Sequence, residues 1–314
     1  MNITVLSGGE GPEREVSLRS GAAVAEALSG QGHEVAVPDL KKKEDIFEIF
    51  SGKGRGAFAF IALHGGWGED GTLQAALEML GVPFSGSGHG ACALAMDKTA
   101  GKALLQWKGI AVPKGIEAAR GAAVRGDDLK IKKLLERSGR IVVKPCCCGS
   151  TVGVSILDGG DHLEEGMEEA FRFDPRVIVE EYIPGRELTV TVWDPGEGPR
   201  CLPVIEILPV RGFYDYNSKY TPGECEYRIP APLPESLRRR VEETSLEAHR
   251  ALGCTGYSRV DLRLADDGLP VVLEVNTVPG MTATSLAPKG AAAGGITFGQ
   301  FLDGVIRSSL QKRP

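Results

Sequence analysis

The sequence has no apolar run approaching the ~18 residues that mark a membrane-crossing helix. The opening stretch, Met1-Asn2-Ile3-Thr4-Val5-Leu6, is too short and lacks the basic segment of a signal peptide. A cytoplasmic location is therefore expected. The seven cysteines form no framework: the number is odd, and Cys146, Cys147 and Cys148 are consecutive. No Cys-x₂-Cys pair is matched by a second pair or by a His-x₃₋₅-His, so the usual zinc spacings are missing and reduced thiols are expected. Basic residues are in deficit, 36 Lys and Arg against 42 Asp and Glu, for a net charge of −6. That balance excludes a general nucleic-acid binder and leaves room only for a local basic pocket. Internal repeats and low-complexity tracts are also missing.

What the chain does have is length and glycine. Its 314 residues exceed one ordinary core and point to two or three subdomains. Its 42 glycines call for many tight turns or close backbone–ligand approaches. Residues 3–6 read as a buried strand, Ser7-Gly8-Gly9-Glu10-Gly11 as a turn, and Pro12 as the first residue of a helix continued by Val16, Ala23, Ala27 and Leu28. Strands at 33–37 and 58–63 complete a doubly wound parallel α/β unit, residues 1–96. Such sheets hold ligands at the carboxyl ends of their strands, where Glu13 and His64 fall. From residue 97 the pattern becomes α+β: a helix at 98–107, strands at 141–144, 151–157 and 177–180, and a helix at 161–171. Residues 97–180 are expected to form a small subdomain. Residues 181–314 form another, with longer strands, a Gly/Pro/Tyr-rich loop and a helix at 235–252.

The hairpin at 258–276 carries the most chemistry. Alternation places Arg259, Asp261 and Arg263 on one face of its first strand, with Val260, Leu262 and Leu264 on the other. Asp266-Asp267-Gly268 supplies the turn. On the returning strand Glu274 and Asn276 share one face, and Val271, Leu273 and Val275 the other. Pairing Leu264 with Val271 would set Asp261 opposite Glu274 and Arg259 opposite Asn276. Opposed carboxylates destabilise a hairpin unless a cation lies between them. Two carboxylates and an amide oxygen form a hard donor set suited to Mg²⁺. Taken alone, the hairpin leaves open a solvated amphipathic strand pair as well as a metal site.

The continuation decides between them. Glu274-Val275-Asn276-Thr277-x-Pro279-Gly280 resembles the signature of ATP-grasp ligases, and Gly280-Met281-Thr282 resembles the D-alanine–D-alanine ligase family within them. Further blocks recur in family order along nearly the whole chain: Gly8 to Ser17, Leu63-His64-Gly65-Gly66, Gly86-Ser87-Gly88, Met96-Asp97-Lys98, Val143-Lys144-Pro145 and Gly149-Ser150-Thr151-Val152-Gly153. The resemblance implies an ATP-grasp fold and ATP-dependent joining of two D-alanines for peptidoglycan precursors, through an acyl phosphate. It gives Glu13 the ammonium of the first D-alanine, hydrogen-bonded to Ser150, with His64 beside it. Lys98 and Lys144 become phosphate ligands. Glu180, Glu181 and Ile183 resemble the adenine hinge, and Glu187 the ribose ligand. Asp261, Glu274 and Asn276 become ligands of two Mg²⁺ ions, with Mn²⁺ as substitute. Arg259 and the Gly280 N–H would serve the oxyanion. Lys219, Ser285 and the Leu286 N–H would hold the acceptor carboxylate, and Tyr220 occupies the position linked to amine acceptors. A homodimer is implied as well.

One departure is Cys146-Cys147-Cys148, where the family usually has a polar or charged stretch. Competing readings are the same fold with a D-lactate or D-serine acceptor, another amino-acid ligase, or a non-catalytic nucleotide-binding regulator. The last predicts erosion of the metal triad or the phosphate lysines, and all are intact. A dinucleotide fingerprint fails, because Gly9-x-Gly11-x-x-Arg14 lacks its third glycine.

Overall fold

The computed structural model describes residues 1–11, 13–51, 57–121, 124, 126, 128–209, 225–282 and 284–311. Its first strand, β1 (Asn2–Gly8), is buried along nearly its whole length, as a strand covered on both faces must be. Helix α1 (Arg14–Gly30) follows, then the short strands β2 (Glu34–Ala36) and β3 (Asp39–Leu40), α2 (Asp45–Ser51) and β4 (Phe58–Ile61). All three later strands pair with β1 in parallel, so the expected doubly wound sheet is present. Helices α3 (Thr72–Met79) and α4 (His89–Met96) complete the unit. The helix expected from Pro12 is described from Arg14, and Pro12 itself lies outside the described residues.

The middle of the chain runs α5 (Lys98–Trp107), β5 (Gly115–Ala119), α6 (Leu129–Leu135), β6 (Arg140–Pro145), β7 (Ser155–Asp158), α7 (Leu163–Phe171) and β8 (Arg176–Glu181). Its strands form an antiparallel sheet in the order β5-β8-β6-β7. Ile131 and Leu134 of α6 and Met167 and Phe171 of α7 cover Val143 and Val179. The strand expected from residue 151 begins only at Ser155. The reason is local: Ser150 and Thr151 have φ of 54° and 61°, which breaks the extended chain into turns.

Helix α5 begins where the pattern change places it, and Asp97 caps it. Its carboxylate accepts the Thr99 and Ala100 N–H groups and also pairs with Arg176 at 2.6 Å. Burial acts to raise the Asp97 pKa, but the Ala100 N–H and Arg176 outweigh it, and the carboxyl is held below its ordinary value. A depressed carboxyl stabilises the fold above the unfolded value, about 3.9, and stops doing so as pH falls through the folded one. Asp97→Ala is therefore expected to cost about 1–2 kcal/mol at pH 7 in a urea titration. The deficit should shrink as the titration is repeated further below pH 4.

The last part contains β9 (Arg186–Trp193), β10 (Arg200–Cys201), β11 (Ile205–Pro209), β12 (Cys225–Arg228), α8 (Glu235–Ala251), β13 (Tyr257–Leu264), β14 (Pro270–Asn276), α9 (Leu286–Ala293) and α10 (Phe298–Gln311). The main sheet is antiparallel in the order β12-β11-β9-β13-β14. Val241, Ala248 and Leu252 of α8 and its C-terminus bury Val190, Val192, Val260, Leu262 and Val272. Trp193, Tyr257, Met281 and Phe301 share a core with Ile3, Val5 and Val24 of the parallel unit. That shared core fixes the N-terminal sheet against the hairpin. Among the described residues no helix is long and apolar enough to cross a membrane. All seven cysteines are free of disulfides.

The hairpin register is half as expected. Asp261 does face Glu274, and Arg259 faces Asn276. Leu264, however, faces Pro270 rather than Val271, because the register shifts between Asp261 and Leu262. A bulge puts one extra residue, Leu273, on the returning strand. Val272 then takes the place in the apolar core expected for Val271 and Leu273, while Leu273 turns to the second cleft described below.

Candidate active site

Two clefts meet above the hairpin. The first, about 1060 Å³ and open to solvent, is lined by Glu13, His64, Ser150, Arg259, Asn276, Gly280, Ser285 and Leu286, among others. The second, about 1020 Å³, is bounded by Lys144, Glu180, Glu181 and Ile183, and by Glu187 and Asp261. Lys98, Cys148 and Glu274 line both. Groups held in one cleft would therefore meet groups held in the other at these three residues.

In the first cleft, Glu13 sits at the N-cap position of α1 yet makes no capping bond with its side chain. Its carboxylate instead accepts the Ser150 hydroxyl from the turn after β6. Gly65, at φ 73°, gives it room: a Cβ there would lie 2.3 Å from Glu13 Oε2. His64 is buried, with Nε2 2.8 Å from Ser20 Oγ and Nδ1 3.4 Å from Glu69. In the same cleft Ser285 is the N-cap of α9, so the Leu286 N–H belongs to an unbonded first turn. The Ser285 Oγ accepts the Thr282 N–H at 3.0 Å and lies 2.8 Å from its hydroxyl. Gly280 packs against it, a Cβ there falling 2.9 Å from that oxygen. A carboxylate and a helix N-terminus lining one cleft suit the ammonium and carboxylate groups of small zwitterions.

In the second cleft, the hinge at the end of β8 is occupied by its own bonds. The Glu181 carboxylate accepts the Lys114 N–H at 3.0 Å. Glu180 is buried between Lys102 and Lys144, the latter at 2.7 Å. Burial would raise the Glu180 pKa, but the two lysines outweigh it and hold the carboxyl down. Burial lowers Lys144, but Glu180 more than compensates and raises it. Glu187 pairs with Arg263 at 3.0 Å. Lys98 Nζ reaches the Cys148 carbonyl at 2.5 Å and lies 3.8 Å from Glu274. Thus the cysteine stretch contributes a backbone acceptor. Its thiols are poor nucleophiles at neutral pH, burial pushing Cys147 up to about 11.

Opposed carboxylates need a cation, and the protein brings its own. Arg259 grips both Asp261 oxygens, at 2.9 and 2.7 Å, while Thr189 Oγ1 donates to Asp261 at 2.6 Å. Lys98 stands beside Glu274. The donor set, two carboxylates and the Asn276 amide, fits a hard divalent cation completed by water and phosphate oxygens. Among the described residues no cluster of three or more His, Cys, Asp or Glu side chains is arranged as a metal cage.

Lys219 and Tyr220 lie outside the described residues. Sequence reasoning missed Thr189, Glu69 and Lys102. Thr189 carries no signal in the chain, while Glu69 falls in the block that continues from Leu63 to Thr72, without a role assigned to it there. Lys102 has one: it follows Lys98 by four residues on a capped helix, which puts both ammonium groups on one face.

Comparison with known proteins agrees with this geometry. Residues 47–87 match the family model described as D-ala D-ala ligase N-terminus, and residues 104–307 its C-terminus. A D-alanine–D-alanine ligase of Syntrophotalea carbinolica is 45% identical over 99% of this chain and 97% of its own. The crystal structure of D-alanine–D-alanine ligase from Bacillus anthracis superposes with a TM-score of 0.86 at 39% identity, covering 99% of this chain and 98% of that one. A second structure of the Bacillus anthracis enzyme, complexed with ATP, gives 0.82 at 35% identity, with 99% and 97% covered. With ATP-grasp architecture, two joined clefts and full-length similarity together, the chain belongs to the D-alanine–D-alanine ligase family.

Proposed function

We propose that this chain binds ATP in the cleft between the two antiparallel sheets and joins two D-alanines in the neighbouring cleft. The observation that carries the proposal is the shared wall of Lys98, Cys148 and Glu274, which lets a γ-phosphate meet a substrate carboxylate. Glu13 binds the ammonium of the first D-alanine, with Ser150 and His64 beside it. The carboxylate of that D-alanine attacks the γ-phosphate, and ADP leaves an acyl phosphate. Lys98 and Lys144 offset the developing charge. Asp261, Glu274 and Asn276 would hold Mg²⁺ or Mn²⁺, two ions in this reading. Such ions, when bound, screen the phosphate oxygens.

The backbone at Glu181 and Ile183 takes the adenine, with the Glu180 carboxylate beside it, and Glu187 takes the ribose. Ser285 and the Leu286 N–H, with Lys219, hold the carboxylate of the second D-alanine. Its amine attacks the activated carbonyl, Arg259 and the Gly280 N–H receive the oxyanion, and phosphate departs. Water is to be excluded from the site around Ser150 and Tyr220, since an acyl phosphate exposed to water hydrolyses. The enzyme would work in the cytoplasm on peptidoglycan precursors, as a homodimer.

Incubation with ATP, Mg²⁺ and D-alanine should yield D-alanyl-D-alanine and ADP in equal amounts, read by mass spectrometry and a coupled ADP assay. ADP without dipeptide from D-alanine, together with a depsipeptide when D-lactate is added, would move the acceptor assignment. No ADP with any amino acid would overturn the ligase reading for this chain.

A further inference from the structure

Lys102 is a buried ammonium to which the mechanism gives no role. It comes from α5 one helical turn after Lys98 and lines neither cleft. Among the described residues, the charged groups that face it across the sheet are Glu180 on β8 and Lys144 on β6. Glu180 therefore has a cation on each oxygen: Lys102 on Oε1 and Lys144 on Oε2. Gly115, which faces Glu180 on β5, leaves space for this, since a Cβ there would sit 2.9 Å from Glu180 Cγ.

A single Lys144–Glu180 pair would be neutral and self-sufficient. Drawing Lys144 away to a phosphate or a ring nitrogen would then strand a buried carboxylate, which is costly. With Lys102 on the other oxygen, Glu180 keeps a partner. Building on the ATP assignment above, we propose that Lys102 is a positioning residue for the nucleotide: it holds Glu180 so that Lys144 is free to turn to ATP. The Lys102 pKa agrees with this crowding. Burial lowers it first, Glu180 raises it, and Lys144 lowers it again, to about 7.

The test is a double-mutant cycle read by calorimetric ATP binding without D-alanine, so that no turnover is needed. Lys102→Met is expected to weaken ATP binding about ten- to a hundred-fold, the size of a lost charge-assisted hydrogen bond. In a Glu180→Gln background the same change should cost less than about three-fold, because no carboxylate is left to strand. Melting temperatures show which variants fold. If Lys102→Met alone does not fold, the pair of proteins carrying Glu180→Gln, with and without Lys102→Met, still decides the matter. Equal ATP affinity of folded Lys102→Met and the parent would overturn the role of Lys102 alone, as would a ten-fold loss in the Glu180→Gln background. A parent protein that binds no ATP would instead overturn the nucleotide assignment, and the role of Lys102 with it.

Discussion

Asp261→Asn is expected to reduce ADP release in the presence of D-alanine, ATP and Mg²⁺ on the order of a thousand-fold, the several kcal/mol that a metal-centred charge supplies to phosphoryl transfer. Glu274→Gln should do the same. The argument rests on the opposition of the two carboxylates across β13 and β14. In isolation that pair is a liability of the fold. The protein offsets it with Arg259 on Asp261 and Lys98 near Glu274, so the substitutions remove a repulsion and an attraction together. Both groups are partly exposed, and the net change in stability should stay within about 1 kcal/mol. Loss of activity with an unchanged melting temperature is thus the expected pair of results. Full ADP release by both variants would sink the metal assignment.

The same hairpin shows what a sequence can and cannot convey. Alternation placed Arg259, Asp261 and Arg263 on one face, and the structure agrees, with Val260, Leu262 and Leu264 buried on the other. The pairing of Asp261 with Glu274 follows from a Leu264–Val271 pairing that the protein does not use, although the turn at Asp266-Asp267-Gly268 is as expected. A bulge leaves no periodic trace when both neighbours, Val272 and Leu273, are apolar. The register near the turn was therefore wrong while the register at the site was right. The start of α5 is read from the change of pattern at residue 97, and the Asp97 cap that fixes it emerges from the structure. Strand β3, two residues long, has too little pattern to be seen. The strand expected from Thr151 failed because Ser150 and Thr151, neither a glycine, take positive φ. The Lys102–Glu180–Lys144 cluster joins a helix and two strands, so only the fold assembles it. Family blocks located Glu13 and Ser150, which are 137 positions apart, and the resemblance also implied the bond between them, which the fold makes by packing the turn after β6 against the parallel unit.

Arg259→Met is expected to separate the two halves of the reaction. Arg259 reaches Asp261 from two positions away on β13 and lies opposite Asn276, at the edge of the first cleft. If its guanidinium receives the oxyanion formed when the acceptor amine attacks, its loss should lower dipeptide formation about a hundred- to a thousand-fold. Acyl-phosphate formation precedes that step and depends on groups that remain. ADP would continue to appear as water intercepts the intermediate, and the ratio of ADP to dipeptide would rise well above one. If Arg259 acts only by orienting Asp261, both products must instead fall in parallel with the ratio held at one. Measuring ADP and dipeptide in the same quenched samples distinguishes these outcomes. The comparison with Asp261→Asn sharpens it, because there the ratio is expected to stay at one while both rates collapse.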